Sequence, residues 1–459
     1  MALHRVRRGL RLPIAGAPIQ QIESGKSTQT VGLIAEDYVG LRPTMHVTVG
    51  DSVRRGQLLM EDKKNLGVRH TSPAAGTVRA VHRGDRRALS SIVIDVDRAD
   101  HEGSSRGADE VNFSSFSGRH PDGLTGDEVR ELLVESGAWL ALRGRPFSRV
   151  ANPNQRPHSI FVTAMDTNPL AADVNEVIRG SEDAFERGLF AVAKLTEGPI
   201  FVCSGVDSQF HLPDFSRLQH EQFEGPHPAG VVGLHIHKLD PVDRSKMVWH
   251  LNYQDVIGIG MLFQTGSLSV SRIVSLAGPS VMRPRLVRTR LGASLAGLVE
   301  GELIAGEHRI ISGSVFSGRR APSGESGYLG RYHLQVSVIA EERTREFLGW
   351  LAPGFNKFSI GNTFISRLLP GKQFAFTTST QGSKRAIIPI GVYERVMPMD
   401  LLPTFLARAI VMRDTERAEE LGCLELDEED MALCSFVCPG KTDFATPLRD
   451  VLNELEKEG

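Results

Sequence analysis

Cysteine is scarce, with four residues in a chain of 459. That is too few for a disulfide framework in a chain of this size. An excess of one charge is also missing. Lys and Arg number 53 against 55 Asp and Glu, a formal net charge of -2, so nucleic acid is not expected as the main partner. No apolar run reaches the roughly 18 residues of a membrane helix. The best candidate, VIGIGMLF, is short and carries two glycines. The opening MALHRVRRGLRLPIAG is basic and lacks the apolar core of a signal peptide. These absences point to a cytoplasmic, soluble protein. They leave room for peripheral docking on a membrane complex, which needs no spanning segment.

What is present divides the chain. A length of 459 residues exceeds one core, so several domains are expected. HVTVGDSVRRGQLLMEDKK and AAGTVRAVHRGDRRALSSIVIDVD alternate apolar and polar residues between glycine turns, which predicts strands over 1–100. Residues 101–123, rich in Gly, Ser and charge, read as a linker or long surface loop. Thr125 and Glu128 then form a capping box ahead of a helix. HSIFVTAMD, GPIFVCSG and AGVVGLHIHKLD read as strands, and NEVIRGSEDAFERGLFAVAKL as one long stretch of helix. Alternating strands and helices predict an α/β layer with a parallel sheet. Beyond 257 the pattern turns to short strands followed by a helix, and β character continues from 306 to 375. PMDLLPTFLARAIVMRD, ERAEELGC and TPLRDVLNELEKE predict a helical end.

Several constellations carry chemistry in other proteins. VGDSVRRGQLLMEDKK followed by TSPAAGTV resembles the hammerhead of biotinyl and lipoyl carriers, with Val49, Gly50, Asp51, Val53, Gly56, Pro73, Gly76 and Val78 in place. Lys63 and Lys64 are the candidates for modification, but their spacing from Gly56 and their neighbours match neither carrier context. A carrier-like barrel reused as scaffold is expected. In CLELDEEDMALCSFVCPG, Cys438-Pro439 ends like a four-iron ferredoxin motif, C-x2-C-x2-C-x3-C-P. That register puts Cys434 at the third ligand, Met431 at the second and Glu428 at the first. A thioether and a carboxylate replace two thiolates, while Cys423 lies out of register and Cys203 far away. Buried, reduced thiols are expected, without cluster or zinc. His235 and His237 would share one strand face, but no acidic or Cys partner completes a metal spacing. GEHRIISGSVFSGRRAPSGESGYLGR is basic and glycine-rich but lacks a P-loop ending, so it reads as a surface loop or subunit contact.

GLRLPIAGAP, EDYVGLRPTMHVTVGD, SPAAGTV, VVGLHIHKLDPV, VWHLNYQDVI and LGCLELDEEDMALCSFVCPGKTDF occur together and in order. Together they resemble the A-subunit family of the bacterial sodium-translocating NADH:quinone oxidoreductases, from about Gly9 to Gly459. The resemblance implies a peripheral subunit on the cytoplasmic face of the inner membrane. It belongs to a complex that oxidises NADH, reduces ubiquinone and exports sodium. Its implied partners are the other subunits, chiefly the large membrane-embedded B subunit, with ubiquinone as a possible ligand. Flavins and iron–sulfur centres would reside in partner subunits and none in this chain. The family is similar in domain order to the NADH-binding flavoprotein of respiratory complex I and to the C subunit of the Rnf complex. The flavoprotein's glycine-rich loop corresponds here to ALRGRPFSRV, where Arg143, Gly144 and Arg145 run straight into Pro146 and Phe147. Of its acidic strand end only Asp166 remains.

The expected fold is α/β multidomain. It has a carrier-like β hammerhead (1–100), a central Rossmann-like α/β domain without flavin loop (101–256) and a small β-grasp-like unit (257–305). A β-rich connecting region (306–395) and a helical domain resembling an emptied iron–sulfur domain (396–459) follow. No catalytic residue is expected in the chain itself. Tyr38, Arg42 and His46 are the candidate quinone contacts, as donors set beside Val39, Leu41 and Met45. The alternatives are a soluble biotinyl- or lipoyl-type carrier, or an iron–sulfur electron carrier.

Overall fold

The computed structural model describes residues 2–101, 107–343, 352–361 and 363–458. Parts of the expected linker (102–106) and of the expected β-rich region (344–351 and 362) lie outside them.

Two antiparallel sheets form the first unit. One has the order Thr30–Ile34, Leu89–Val96, Gly76–Arg83, Ser52–Val53, and the other Pro43–Met45, Leu58–Asp62, Arg69–Thr71. Alternate residues point inward, and Val31, Leu33, Val53, Leu59, Met60, Ile92 and Ile94 close a core between the sheets. Lys63 and Lys64 stand exposed in the bend after Leu58–Asp62.

The second unit is a seven-stranded sheet. Its order is Ala2–Arg5, Leu218–Glu224, Ile200–Gly205, Ile160–Ala164, Val248–Asn252, Arg143–Arg145, Arg149–Val150. The first five are parallel, and an antiparallel hairpin ends the sheet. Helix α1 (Gly126–Ser136) starts at the Thr125–Glu128 capping box, both halves of which form. The expected long helix is two, α2 (Val174–Ile178) and α3 (Glu182–Ala193). Gly180, at φ +80, sits between them, a backbone state that ends helices. The stretch read as a third strand is helix α4 (Val232–Leu239). Its apolar run fits either period, and the strand that follows is instead Val248–Asn252. Helix α5 (Tyr253–Thr265) starts on an Asn252 cap and packs against α3. A Cβ on Gly260 would lie 1.7 Å from the carbonyl oxygen of Ala184. The two helices therefore meet backbone to backbone. The main core lies here, with Trp139 and Trp249 fully buried edge to face, 5.4 Å between centroids.

A third, six-stranded sheet has the order Arg319–Arg320, His308–Ser312, Gln335–Ala340, Ser271–Ala277, Arg285–Arg290, Ile19–Ser24, with the short helix α6 (Leu295–Val299) beside it. Strands from either side of position 305 share this sheet, and so does a strand from the first 24 residues. The chain ends in α7 (Pro403–Met412), α8 (Thr415–Glu420), α9 (Glu428–Val437) and α10 (Ala445–Glu458). Leu406, Ala407 and Ile410 of α7 face inward onto a second core with Met431, Leu433, Leu448 and Leu452. Leu402, Phe405, Val411 and Met412 remain exposed.

Buried ion pairs join the units. Arg55 of the barrel reaches Asp100 at 2.8 Å and Glu110 at 2.6 Å, while Arg290 of the six-stranded sheet reaches Asp100 at 2.9 Å. Asp100 is fully buried, so removing either arginine would leave a costly uncompensated charge.

Candidate functional site

The segment 35–42 links two barrel strands and reaches the α/β unit, where Arg149 meets it. Ala35–Asp37 is one 3-10 turn and Pro43–Met45 a short strand. Between them Gly40 takes φ +73, and a Cβ there would sit 1.5 Å from Nη1 of Arg149. Only glycine leaves room for that guanidinium. Arg149 donates to the Val39 carbonyl at 2.9 Å and pairs with Glu456 of α10.

Tyr38 is buried. Its ring meets His70 edge-on at 4.5 Å, with Tyr332 at 6.3 Å. Burial first, then neighbouring Tyr332, raises the phenol, which stays a neutral donor. Burial, aided by Arg331, lowers His70 to about 3. That imidazole is therefore neutral at ordinary pH, and its Nδ1 has no hydrogen-bond partner. Tyr38 lines two spaces at once. One is a cavity of about 70 Å³ shared with Asp37, Asp255, Arg272 and Arg331. The other is a cleft of about 1050 Å³ shared with His70, Pro146, Phe147 and Arg149.

The small cavity is lined by paired charges. Asp255 accepts from Arg272 and, at 2.9 Å, from Arg331. Burial would push Asp255 up, but the two arginines hold it below the usual carboxylate range. Asp37 accepts the Arg331 backbone N–H at 2.8 Å. The Arg143 guanidinium lies 4.3 Å from the Tyr332 ring centre.

Arg42 and His46 do not join Tyr38. Arg42 is exposed, and its backbone N–H donates to Asp62 at 3.1 Å. His46 is exposed and lies 3.3 Å from Glu61. The three donors are neighbours in sequence, but only Tyr38 turns inward, while Arg42 and His46 flank the strand Pro43–Met45 and stay exposed.

By the ends of the central strands Ile160–Ala164 and Val248–Asn252, Arg143, Asp166, His250, Tyr332 and Glu429 line a cavity of about 120 Å³. Asp166 accepts from the backbone and side chain of Asn168 at 2.8 and 3.0 Å. Burial raises Asp166 to about 6, and burial with the charge of Asp430 raises Glu429 to about 7. Arg145 turns away from this cavity. It donates to Asp430 at 3.0 Å and to the Glu425 carbonyl at 3.0 Å, bonding the hairpin to the helical tail. Phe147 and Ser148 follow at φ 77 and 54, so the strand pair closes in a tight turn. Pro146 offers no backbone N–H at this turn.

In the tail, Glu428, Met431, Cys434 and Cys438 fall near one face of α9 and its cap. Glu428 is ion-paired with Arg449. Met431, Cys434 and Cys438 are buried. Burial pushes Cys434 up to about 12. For Cys438 burial acts upward, but bonds from the Tyr393 hydroxyl (3.1 Å) and the Thr442 N–H (3.4 Å) outweigh it and leave the thiol below its usual range. All four cysteines are free and buried. Among the described residues, no group of three or more His, Cys, Asp or Glu is placed to hold a metal ion. His235 and His237, being on α4, point to different sides. His235 bonds the Ala229 carbonyl and His237 bonds Glu425, each at 2.8 Å.

Sequence reading missed His70, Asp255, Arg272, Arg331 and Tyr332. They come from distant segments, and only Arg331 carried a local signal, at the end of the glycine-rich basic stretch.

Three family profiles match the chain. They are the NqrA N-terminal barrel-sandwich hybrid domain over 4–97, the NqrA second alpha/beta domain over 124–268 and the NQRA C-terminal domain over 273–323. The chain is thus a mixed α/β multidomain protein with a barrel-sandwich first domain, a second α/β domain and a further C-terminal domain. It is 54% identical over 455 residues to the A subunit of the Na(+)-translocating NADH-quinone reductase of Hahella chejuensis, covering 99% of this chain and 100% of that one. It is 50% identical over 454 residues to the same-named protein of Pasteurella multocida, covering 99% of each. An NAD+-reducing nickel–iron hydrogenase structure aligns with 50% of this chain and 49% of its own at 15% identity and a TM-score of 0.36. The uninterrupted match to full-length relatives settles the kinship: this chain belongs to the NqrA family, the A subunits of the sodium-translocating NADH-quinone reductases.

Proposed function

We infer that the chain works as the peripheral subunit of a complex that oxidises NADH, reduces ubiquinone and exports sodium, and that it sits at the quinone-reducing end. The observation that carries this is the likeness to named subunits over 99% of the chain and 100% of the relative. In this reading it lies on the cytoplasmic face of the inner membrane against the large membrane-embedded B subunit. It is consistent with that placement that, among the described residues, no helix is long and apolar enough to cross a membrane. The units 1–100, 101–256, 257–305, 306–395 and 396–459 are then segments of likeness to carrier, Rossmann-like flavoprotein, β-grasp and emptied iron–sulfur domains.

The chain carries no flavin or cluster of its own in this reading. Support comes from Pro146 and the Arg145–Asp430 bond where a phosphate loop would lie, and from Glu428 and Met431 where thiolates would be needed. The quinone contact falls to Tyr38, a neutral buried donor lining the cleft of about 1050 Å³. Arg42 and His46 would serve only at its outer approach.

The test is made in the assembled enzyme. Tyr38, Arg42 and His46 are each replaced by Ala, and quinone KM and inhibitor sensitivity are measured. Tyr38→Ala should raise quinone KM more than either other change. Unchanged values for all three, with assembly normal, would assign the quinone wholly to the membrane-embedded partner.

A further inference from the structure

From Ala352 to Tyr393 the chain contains five basic residues, Lys357, Arg367, Lys372, Lys384 and Arg385, and no Asp or Glu. In a protein with a net charge of -2, this run of one sign is a local exception. Exposed apolar side chains gather in the same run: Phe355, Ile365, Leu368, Leu369, Ile388 and Ile390. Leu368 is 67% exposed and Ile390 57%.

The fold builds these residues into two lobes. In the first, Ile365 N–H donates to the Pro353 carbonyl at 3.0 Å, Ser366 to the Lys357 carbonyl at 2.5 Å and Lys372 to the Phe355 carbonyl at 2.6 Å. Those bonds tie 353–357 to 365–372, and the 3-10 turn Ile365–Leu368 forms the tip. Phe374 anchors the lobe, exchanging backbone bonds with Pro13 (2.8 Å) and Ala15 (2.9 Å), and its ring packs near Phe358 and Phe376. In the second, Arg385 N–H donates to the Gly440 carbonyl at 2.9 Å, which pins KRAIIPI beside the end of α9.

We propose that these two lobes dock the chain on the anionic phospholipid headgroups of the membrane surface. The inference rests on the peripheral placement argued above and adds to it a direct lipid contact. Aliphatic tips flanked by Lys and Arg match a surface with negative headgroups above an apolar layer. The exposed Arg367, Lys384 and Arg385 reach headgroups while the tips sit lower. A protein partner would ordinarily meet mixed charges, and the run contains only one sign.

The experiment uses the full chain. It is sedimented with vesicles of phosphatidylglycerol and phosphatidylethanolamine, and with vesicles of phosphatidylcholine alone. Binding to the first and not the second, reversed by high salt, is expected. Lys384→Glu/Arg385→Glu should weaken it by about fivefold or more per basic residue lost, and Leu368→Glu/Leu369→Glu should weaken it by removing the apolar tip. Phe405→Glu, on the exposed side of α7, should not. Equal melting temperatures would show that all variants are folded. If the wild-type chain ignores anionic vesicles yet still copurifies with its complex, the proposal is overturned and the lobes face protein. If it does neither, the peripheral placement falls as well.

Discussion

Nη1 of Arg145 lies 3.0 Å from Oδ2 of Asp430, and that same oxygen accepts the backbone N–H of Asp427 at 2.7 Å. One carboxylate therefore caps α9 and holds an arginine of the sheet hairpin. Burial would push Asp427 up, but Arg145, a bond with Glu428 and then Arg449 hold it well below the usual range. Arg145→Met should cost about 3–5 kcal/mol, the ordinary loss when one partner of a buried pair is removed. Chemical denaturation gives the number, and limited proteolysis should release the helical tail sooner. A loss under about 1 kcal/mol would place this bond among exposed pairs in importance.

Glu429 sets a pH trend. Burial, then Asp430, raises it from 4.5 to about 7. The folded chain keeps a proton that the unfolded chain has already lost, so this group's contribution to stability falls as pH rises between those values and levels off above them. Asp166, raised by burial from 3.8 to about 6, adds to the same decline. Glu429→Gln should flatten the profile, gaining on wild type as pH rises from 4.5 to about 7. A constant difference across that range would show that Glu429 ionises normally.

The thiols should be silent. All four cysteines are buried and free, so a thiol reagent should count none in the native chain and four after unfolding. Cys434→Ser buries a hydroxyl in a thiol's place and should cost about 1–3 kcal/mol, with no change in visible absorption. The purified chain should be colourless; stoichiometric flavin, or iron with acid-labile sulfide, would refute its cofactor-free reading.

Gly260→Ala should separate α3 from α5, because the added methyl would lie 1.7 Å from the Ala184 carbonyl oxygen. A loss of about 1–3 kcal/mol is expected, read by thermal unfolding. Gly258→Ala, whose methyl has its nearest neighbour at 3.9 Å, should be neutral or stabilising.

Legibility followed the range of the interaction. The capping box of Thr125 and Glu128 could be read directly, because both partners lie within one turn. The alternating strands of the barrel were equally plain. VVGLHIHKL misled because a short apolar run satisfies both periods, and only its neighbours decide. Ile19–Ser24, IQQIES, carries no strand pattern because it is an edge strand with little to bury. The site was less readable still. Tyr38 stood out as a donor, but its setting comes from His70, Arg331 and Tyr332, which chain folding alone brings together. Arg42 and His46 looked equivalent to it in sequence, and the difference is one of burial.

The placement of the first 24 residues bears on how the molecule is made. Ala2–Arg5 is an edge strand of the seven-stranded sheet, and Ile19–Ser24 an edge strand of the six-stranded one. His4 meets Glu221 across 217 positions, and Glu23 meets Arg283 across 260. Each segment is synthesised well before its partner, which lies 217 or 260 positions further along the chain. Until then each remains an unpaired strand, and both sheets close late. The N-terminus thus acts as the clasp of the fold, fastened after the parts it joins.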